Sequence, residues 1–189
     1  MFSISNEIAY NNRMFKKSAN PEKDVLLLLK RSIWIDIKGK ENGDKDHFVP
    51  AQGDKTIEMV LGAFEMKNGF PNLYIISPFK TVASNIKSLL KRSLHKHYPD
   101  YDPDDIDEWV DKSCGTVHTF QGKEANEVII ILGCDEKSGE GAAQWAGKKL
   151  NILNVAVTRA KYRVAIIGDS DLWRIVPNFD FAYSTLYPE

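Results

Sequence analysis

One short polar turn and one arginine carry most of the chemistry on offer in this sequence. Thr116, Thr119, Gln121, Gly122 and Glu124 fall within residues 115–124, and Arg159 stands further on with Lys161 beside it. Hydroxyl, amide and carboxylate groups gathered around a glycine make a turn that can meet a ligand. Glycine lets the backbone approach a bound group closely. Arg159 offers a planar fork of five donors that matches a phosphate. The plain alternative stands beside this reading. A Thr/Gln/Gly turn can be only a turn, and an arginine near a helix C-terminus can simply offset the helix dipole.

The elements that must position these groups follow from apolar spacing. Residues 128–132 and 164–167 are short β-branched runs ending at or near glycine, the pattern of strands buried on both faces of a parallel sheet. Between them Leu150, Leu153, Val157 and Ala160 recur at helical spacing. The polar turn therefore lies between two strands, and Arg159 lies at the end of a helix just before a strand. Loops at strand ends are where open α/β sheets bind ligands. Residues 32–37 and 73–77 read as further strands, 56–64 and 82–94 as amphipathic helices. Asp104, Asp105, Asp107, Glu108 and Asp111 form an acidic, solvated helix face opposite Ile106, Trp109 and Val110. Residues 39–46 and 135–147 read as glycine-bearing loops, the second with Trp145 as its aromatic anchor. Residues 171–189 read as a terminal helix and strap, and residues 2–14 as a short helix with Ser5 at its N-cap. The expectation is an α/β fold, three layers with a mainly parallel sheet flanked by helices.

Composition sets the bounds. At 189 residues and 43% hydrophobic content the chain suits one α/β domain with a sizeable core. Its net charge of −1 supplies no overall field for nucleic acid, so any such contact must be local. Cys114 and Cys134 are too few and too far apart for a zinc module. They read as buried free thiols, and no metal site is expected. A reducing setting, cytoplasmic or nuclear, follows. The longest aliphatic run, residues 25–29, falls far short of a membrane span of about 20 residues.

The two dense blocks resemble a known pair. Thr119-Phe120-Gln121-Gly122-Lys123-Glu124 resembles motif V, and Asn154-Val155-Ala156-Val157-Thr158-Arg159-Ala160-Lys161 resembles motif VI, of superfamily 1 helicases. The branch is that of the nonsense-mediated-decay helicase and its bacterial relatives. Ile76-Ser77-Pro78-Phe79-Lys80 resembles motif IV, and residues 4–14 resemble the segment just after motif III. The resemblance implies a P-loop NTPase fold without its own phosphate loop: residues 1–189 as the second, C-terminal RecA-like motor domain, with 1–31 leading in from the preceding motor domain and 73–169 bearing the motifs. It implies Arg159 as arginine finger and Phe79, Gly122, Glu124 and Gln121 as nucleotide contacts, Gln121 also coupling the two sites. It implies Ser77, Thr116, His118 and Thr119 as contacts to a single strand of DNA or RNA. Many relatives carry Gln-Arg where this chain has Val82 and Ala83, so Lys80 or another residue replaces that arginine, or one arginine serves alone.

No Gly-x-x-x-x-Gly-Lys-Ser/Thr occurs. Gly53-Asp54-Lys55-Thr56 imitates its tail but has an Asp inside the Gly-Lys pair. Asp135-Glu136 imitates a magnesium site but stands two residues beyond its strand. ATP and Mg2+ are thus expected to be held mainly by the first motor domain, the partner across a cleft. Arg159 should then lack an internal carboxylate partner and face that partner. The alternative is a non-catalytic protein-interaction module on the helicase fold.

Overall fold

A computed structural model describes residues 25–43, 46–137, 139–148 and 150–188. The helix expected at residues 2–14 lies outside them. Six strands form one sheet: β1 (Ile33–Asp36), β2 (Leu73–Ser77), β3 (Cys114–Thr116), β4 (Ala125–Ile131), β5 (Ala160–Gly168) and β6 (Tyr187–Pro188), in the order β3-β2-β4-β5-β1-β6. Every neighbouring pair is parallel. The sheet is parallel, as the apolar runs lead one to expect, within an α/β fold of the RecA-like kind that the motif resemblance implies. Val128, Ile129, Ile130 and Ile131 of β4 and Val164, Ala165, Ile166 and Ile167 of β5 are all 1% exposed or less, as strands covered on both faces must be.

The chain order places the helices. A parallel crossover is right-handed in nearly all folds. From β1 the chain runs through α1 (Pro50–Lys67) to β2, and from β2 through α2 (Lys80–His97) and α3 (Pro103–Ser113) to β3. These moves go one way along the sheet. From β4 it runs through α4 (Glu140–Lys148) and α5 (Leu150–Thr158) to β5, then through α6 (Ser170–Trp173) and α7 (Phe179–Thr185) to β6, which go the other way. The two sets therefore cover opposite faces. Contacts agree: α1 packs on α2 and α2 on α3, while α5 packs on α4 and on β5.

Phe64 of α1, 1% exposed, anchors the first layer. Its ring meets Trp109 edge-on at 4.7 Å and stands 5.4 Å from Tyr98. On the other face the Trp173 ring meets Phe179 at a tilt, 4.6 Å between centroids, and its Nε1–H donates to the Gly133 carbonyl at 3.2 Å.

Two segments differ from the sequence expectation. Residues 140–148 are a helix, not a loop, because Ala143, Ala146 and Gly147 are buried and give it a small-residue face to pack. Trp145 is 45% exposed, with its ring 6.1 Å from that of Phe79. The acidic face of α3 is not simply solvated either. Lys91 bridges Asp107 and Asp111 at 3.1 Å each, and Lys87 meets Asp111 at 3.1 Å. Among the described residues no helix is long and apolar enough to cross a membrane.

Candidate functional site

Parallel strands have two functional edges, and the motif residues divide between them. Glu127 of β4 lies level with Arg163 of β5, and Ala125 level with Ala160. Residues 121–124 and Arg159 immediately precede these strands, so they share the N-terminal edge. Ser77 pairs with Thr116 at the C-terminal ends of β2 and β3, and Phe79 follows at that edge. The 7 residues of β4, at about 3.3 Å each, put roughly 20 Å between the two edges. The structure thus brings Gln121, Gly122, Glu124 and Arg159 together and sets Phe79 apart from them with Ser77 and Thr116.

The polar turn bridges the edges. After Thr116 a 3₁₀ turn (Val117–Phe120) carries the chain down beside β2. Phe120 is fully buried, 4.4 Å from the Tyr74 ring, and pins the turn to the sheet. Thr116 Oγ1 and Thr119 Oγ1 stand 3.5 Å apart, and Gly115 makes this possible: a Cβ there would meet Thr119 Oγ1 at 2.8 Å. His118 and Thr119 are exposed and Thr116 half-buried. Gln121, Gly122, Lys123 and Glu124 are all exposed. Gly122 has φ 80° with open space around it, so glycine is required there by the backbone and leaves the front of the turn bare.

Arg159 closes this loop onto α5. Its Nε donates to the Val155 carbonyl at 3.1 Å, one of the acceptors a helix end leaves without a backbone partner. Its Nη1 donates to the carbonyls of Lys123 at 3.1 Å and Phe120 at 3.4 Å, and Nη2 to Thr158 Oγ1 at 3.1 Å. Among the described residues no carboxylate forms a salt bridge with it. The expectation of a side chain simply facing outward is met only in part, because four internal oxygens hold the guanidinium. All four are neutral, so none cancels its charge.

At the C-terminal edge Ser77 Oγ accepts from the Phe79 backbone N–H at 3.2 Å and is buried. Phe79 is 8% exposed. Its ring lies 4.8 Å from His47 and 6.1 Å from Trp145. The positions where relatives carry Gln-Arg are apolar interior here: Val82 is 0% and Ala83 6% exposed. Lys80, by contrast, is exposed at the start of α2.

The two imitations resolve structurally. Gly53 and Thr56 lie inside α1, not in a strand-to-helix loop. Asp135 spends its carboxylate on the backbone N–H groups of Glu41 and Lys137, each at 3.0 Å. Sequence reasoning missed Glu127, whose side chain points into the structure from β4. It accepts from the backbone N–H groups of Leu28 and Leu29, both at 2.7 Å. Burial pushes its pKa up, opposed by those two bonds and by Arg163. The only available signal was an acidic residue opening an otherwise apolar strand.

Both cysteines are free and buried, as expected. Burial pushes the Cys114 thiol up to about 12. Burial also raises Cys134, with the charges of Glu41 and Asp135 adding to it.

Residues 2–171 match the AAA domain family. The chain is also similar to "Probable helicase senataxin" of Mus musculus, 28% identical over 133 residues, which is 69% of this chain and 4% of that protein. It is similar to "Probable helicase senataxin" of Homo sapiens, 27% identical over 133 residues with the same coverage. The chain thus spans a small fraction of the curated relatives it matches. The family match extends over most of the sequence, and the parallel sheet agrees with it: this chain belongs to the AAA domain family, as a helicase-related RecA-like domain.

Proposed function

We propose that this chain is the second, C-terminal motor domain of an ATP-dependent superfamily 1 helicase acting on DNA or RNA, in a cytoplasmic or nuclear setting. The observation that carries the proposal is the Arg159 guanidinium, held at the N-terminal edge by neutral oxygens alone, beside the bare Gly122 turn and exposed Glu124. A guanidinium so held is oriented but not neutralised, which suits an incoming phosphate. The fit to ATP is that of half a site. The sequence has no phosphate loop, and among the described residues no acidic cluster stands at this edge, so a first motor domain would bring the groups that hold ATP and Mg2+, and bound ATP supplies the phosphoryl group to be transferred.

Within this chain the roles follow from placement. Arg159 orients a cationic fork toward the cleft. Gly122 lets the backbone of the turn approach the nucleotide, and Glu124 accepts hydrogen bonds there. Gln121 lies between these groups and the 3₁₀ turn, so it can pass movement from one edge to the other. Thr116, His118 and Thr119 line the path of a single strand from the C-terminal edge down the 3₁₀ turn, with buried Ser77 holding the Phe79 backbone behind them. Cleft closure then moves both edges in step, because one pinned turn joins them.

A second reading has its own observation. The bonds from Arg159 to Lys123, Phe120 and Val155 are those of a structural brace, which a non-catalytic interaction module would also need. Single-strand binding separates the two. The motor reading expects weak binding by the 189-residue chain, falling steeply as salt rises, because half a groove and a net charge of −1 are present. No binding at low salt, or tight binding indifferent to salt, contradicts it.

A further inference from the structure

Three residues that the motor reading leaves unused meet at the C-terminal edge. Glu41 and His47 flank one loop, and Cys134 follows β4. Their side-chain donor atoms all lie within 4.8 Å of one another. The Glu41 side chain is only 2% exposed and that of His47 20%. Cys134 is fully buried.

The backbone builds this cluster. The Cys134 N–H donates to the His47 carbonyl at 2.8 Å. The Gly133 N–H donates to Gln52 Oε1 at 2.8 Å, tying the same turn to α1. The His47 N–H donates to Glu41 Oε2 at 2.9 Å. The other oxygen is left poorly served. Glu41 Oε1 has the Asp135 N–H at 3.3 Å and His47 Nδ1 at 3.3 Å, both at the long end for such bonds. A buried carboxylate oxygen is costly without good partners. Among the described residues Glu41 has no lysine or arginine in a salt bridge.

We propose that Glu41, His47 and Cys134 form a zinc site. Thiolate, imidazole and carboxylate are the zinc donors, and three protein ligands plus one water make a four-coordinate site. The 3.3 Å between His47 Nδ1 and Glu41 Oε1 equals the edge of a tetrahedron with bonds of about 2.0 Å. Charge also matches, since one carboxylate and one thiolate neutralise a divalent cation. On binding, the Cys134 S–H bond breaks, its proton passes to solvent and an S–Zn bond forms, while zinc sheds coordinated water; no electron is transferred. The partly exposed His47 side gives the water its position. The bound ion would fasten Glu41 and His47 to the end of β4 and hold His47 against the Phe79 ring. The sequence hides such a site, because its ligands come from segments far apart in the chain and not from a cysteine pair.

The test is titration of the metal-free 189-residue chain, under a non-thiol reductant, with Co2+ as the spectroscopic probe and Zn2+ as competitor. One equivalent of Co2+ should give the near-ultraviolet thiolate-to-cobalt band and the visible bands of a four-coordinate ion. Zn2+ should bleach both and raise the melting temperature. Cys134→Ala should abolish the thiolate band and Cys114→Ala keep it. Glu41→Gln and His47→Ala should weaken affinity about tenfold or more. A folded wild-type chain without the thiolate band overturns the proposal, and so does a band that survives Cys134→Ala. If Cys134→Ala does not fold, the other two variants decide: unchanged affinity in both overturns the site, and weakened affinity in both supports it.

Discussion

At the residue scale the informative groups are those whose surroundings oppose their chemistry. Cys114 and Cys134 are thiols held protonated by burial, the first pushed up to about 12 and the second higher. Since the thiolate is the nucleophile, neither should react with an alkylating reagent at neutral pH while the metal-free chain is folded. Both should react once denaturant unfolds it, which mass spectrometry of pulse-labelled protein would show. Glu127 gives a pH dependence of definite sign. Its folded pKa is raised above its ordinary value of 4.5, chiefly by burial. Its favourable contribution is then fully present below that value and lost as pH rises through the folded pKa. The urea midpoint of the wild type, taken relative to Glu127→Gln, should therefore fall over that window. A difference that is flat or rises with pH would contradict the assignment.

At the element scale, capping and aromatic packing decide what holds the layers. The Asp102 side chain accepts from the Asp104 N–H at 2.9 Å and starts α3. Asp102→Ala should cost about 1 kcal/mol. Phe64→Ala should cost more, about 3–5 kcal/mol, since it empties the centre of the cluster between α1, α2 and α3. Denaturant melts of the two variants would check both the size and the order. The strands were legible because β-branched runs bounded by glycine have few other uses. β2 falls on residues 73–77 as expected, whereas β4 starts three residues before its expected run and stops one short of it, and β5 opens at Ala160, which helical spacing assigns to the preceding helix. Helix α4 was not legible. Its glycines at 141 and 147 signal a loop locally, whereas burial of Ala143, Ala146 and Gly147 is a tertiary fact.

The whole molecule shows why the site was only half readable. The spacing of residues 116–124 and Arg159 places a polar turn beside an arginine, and the structure joins them through the Lys123 and Phe120 carbonyls. That Phe79 stands on the opposite edge depends on the parallel pairing of β2, β4 and β5, a tertiary fact that local spacing does not encode. The same holds for Glu41, His47 and Cys134, which meet only because the loop before α1 reaches the end of β4. A chain with no phosphate loop should turn over no ATP alone. Steady turnover that survives repurification and is lost in Arg159→Ala would contradict the half-site account.

The most direct test is made in the longer protein that, on this account, joins this domain to a phosphate-loop domain. ATP turnover under saturating nucleic acid should fall on the order of 10³-fold or more in Arg159→Ala. Arg159→Lys should recover little of it, because lysine lacks the planar fork. Circular dichroism and single-strand affinity should stay close to wild type. If Arg159→Ala instead unfolds the isolated domain while the longer protein keeps its ATPase rate, Arg159 is only the brace between α5 and the 117–124 turn, and the motor assignment fails.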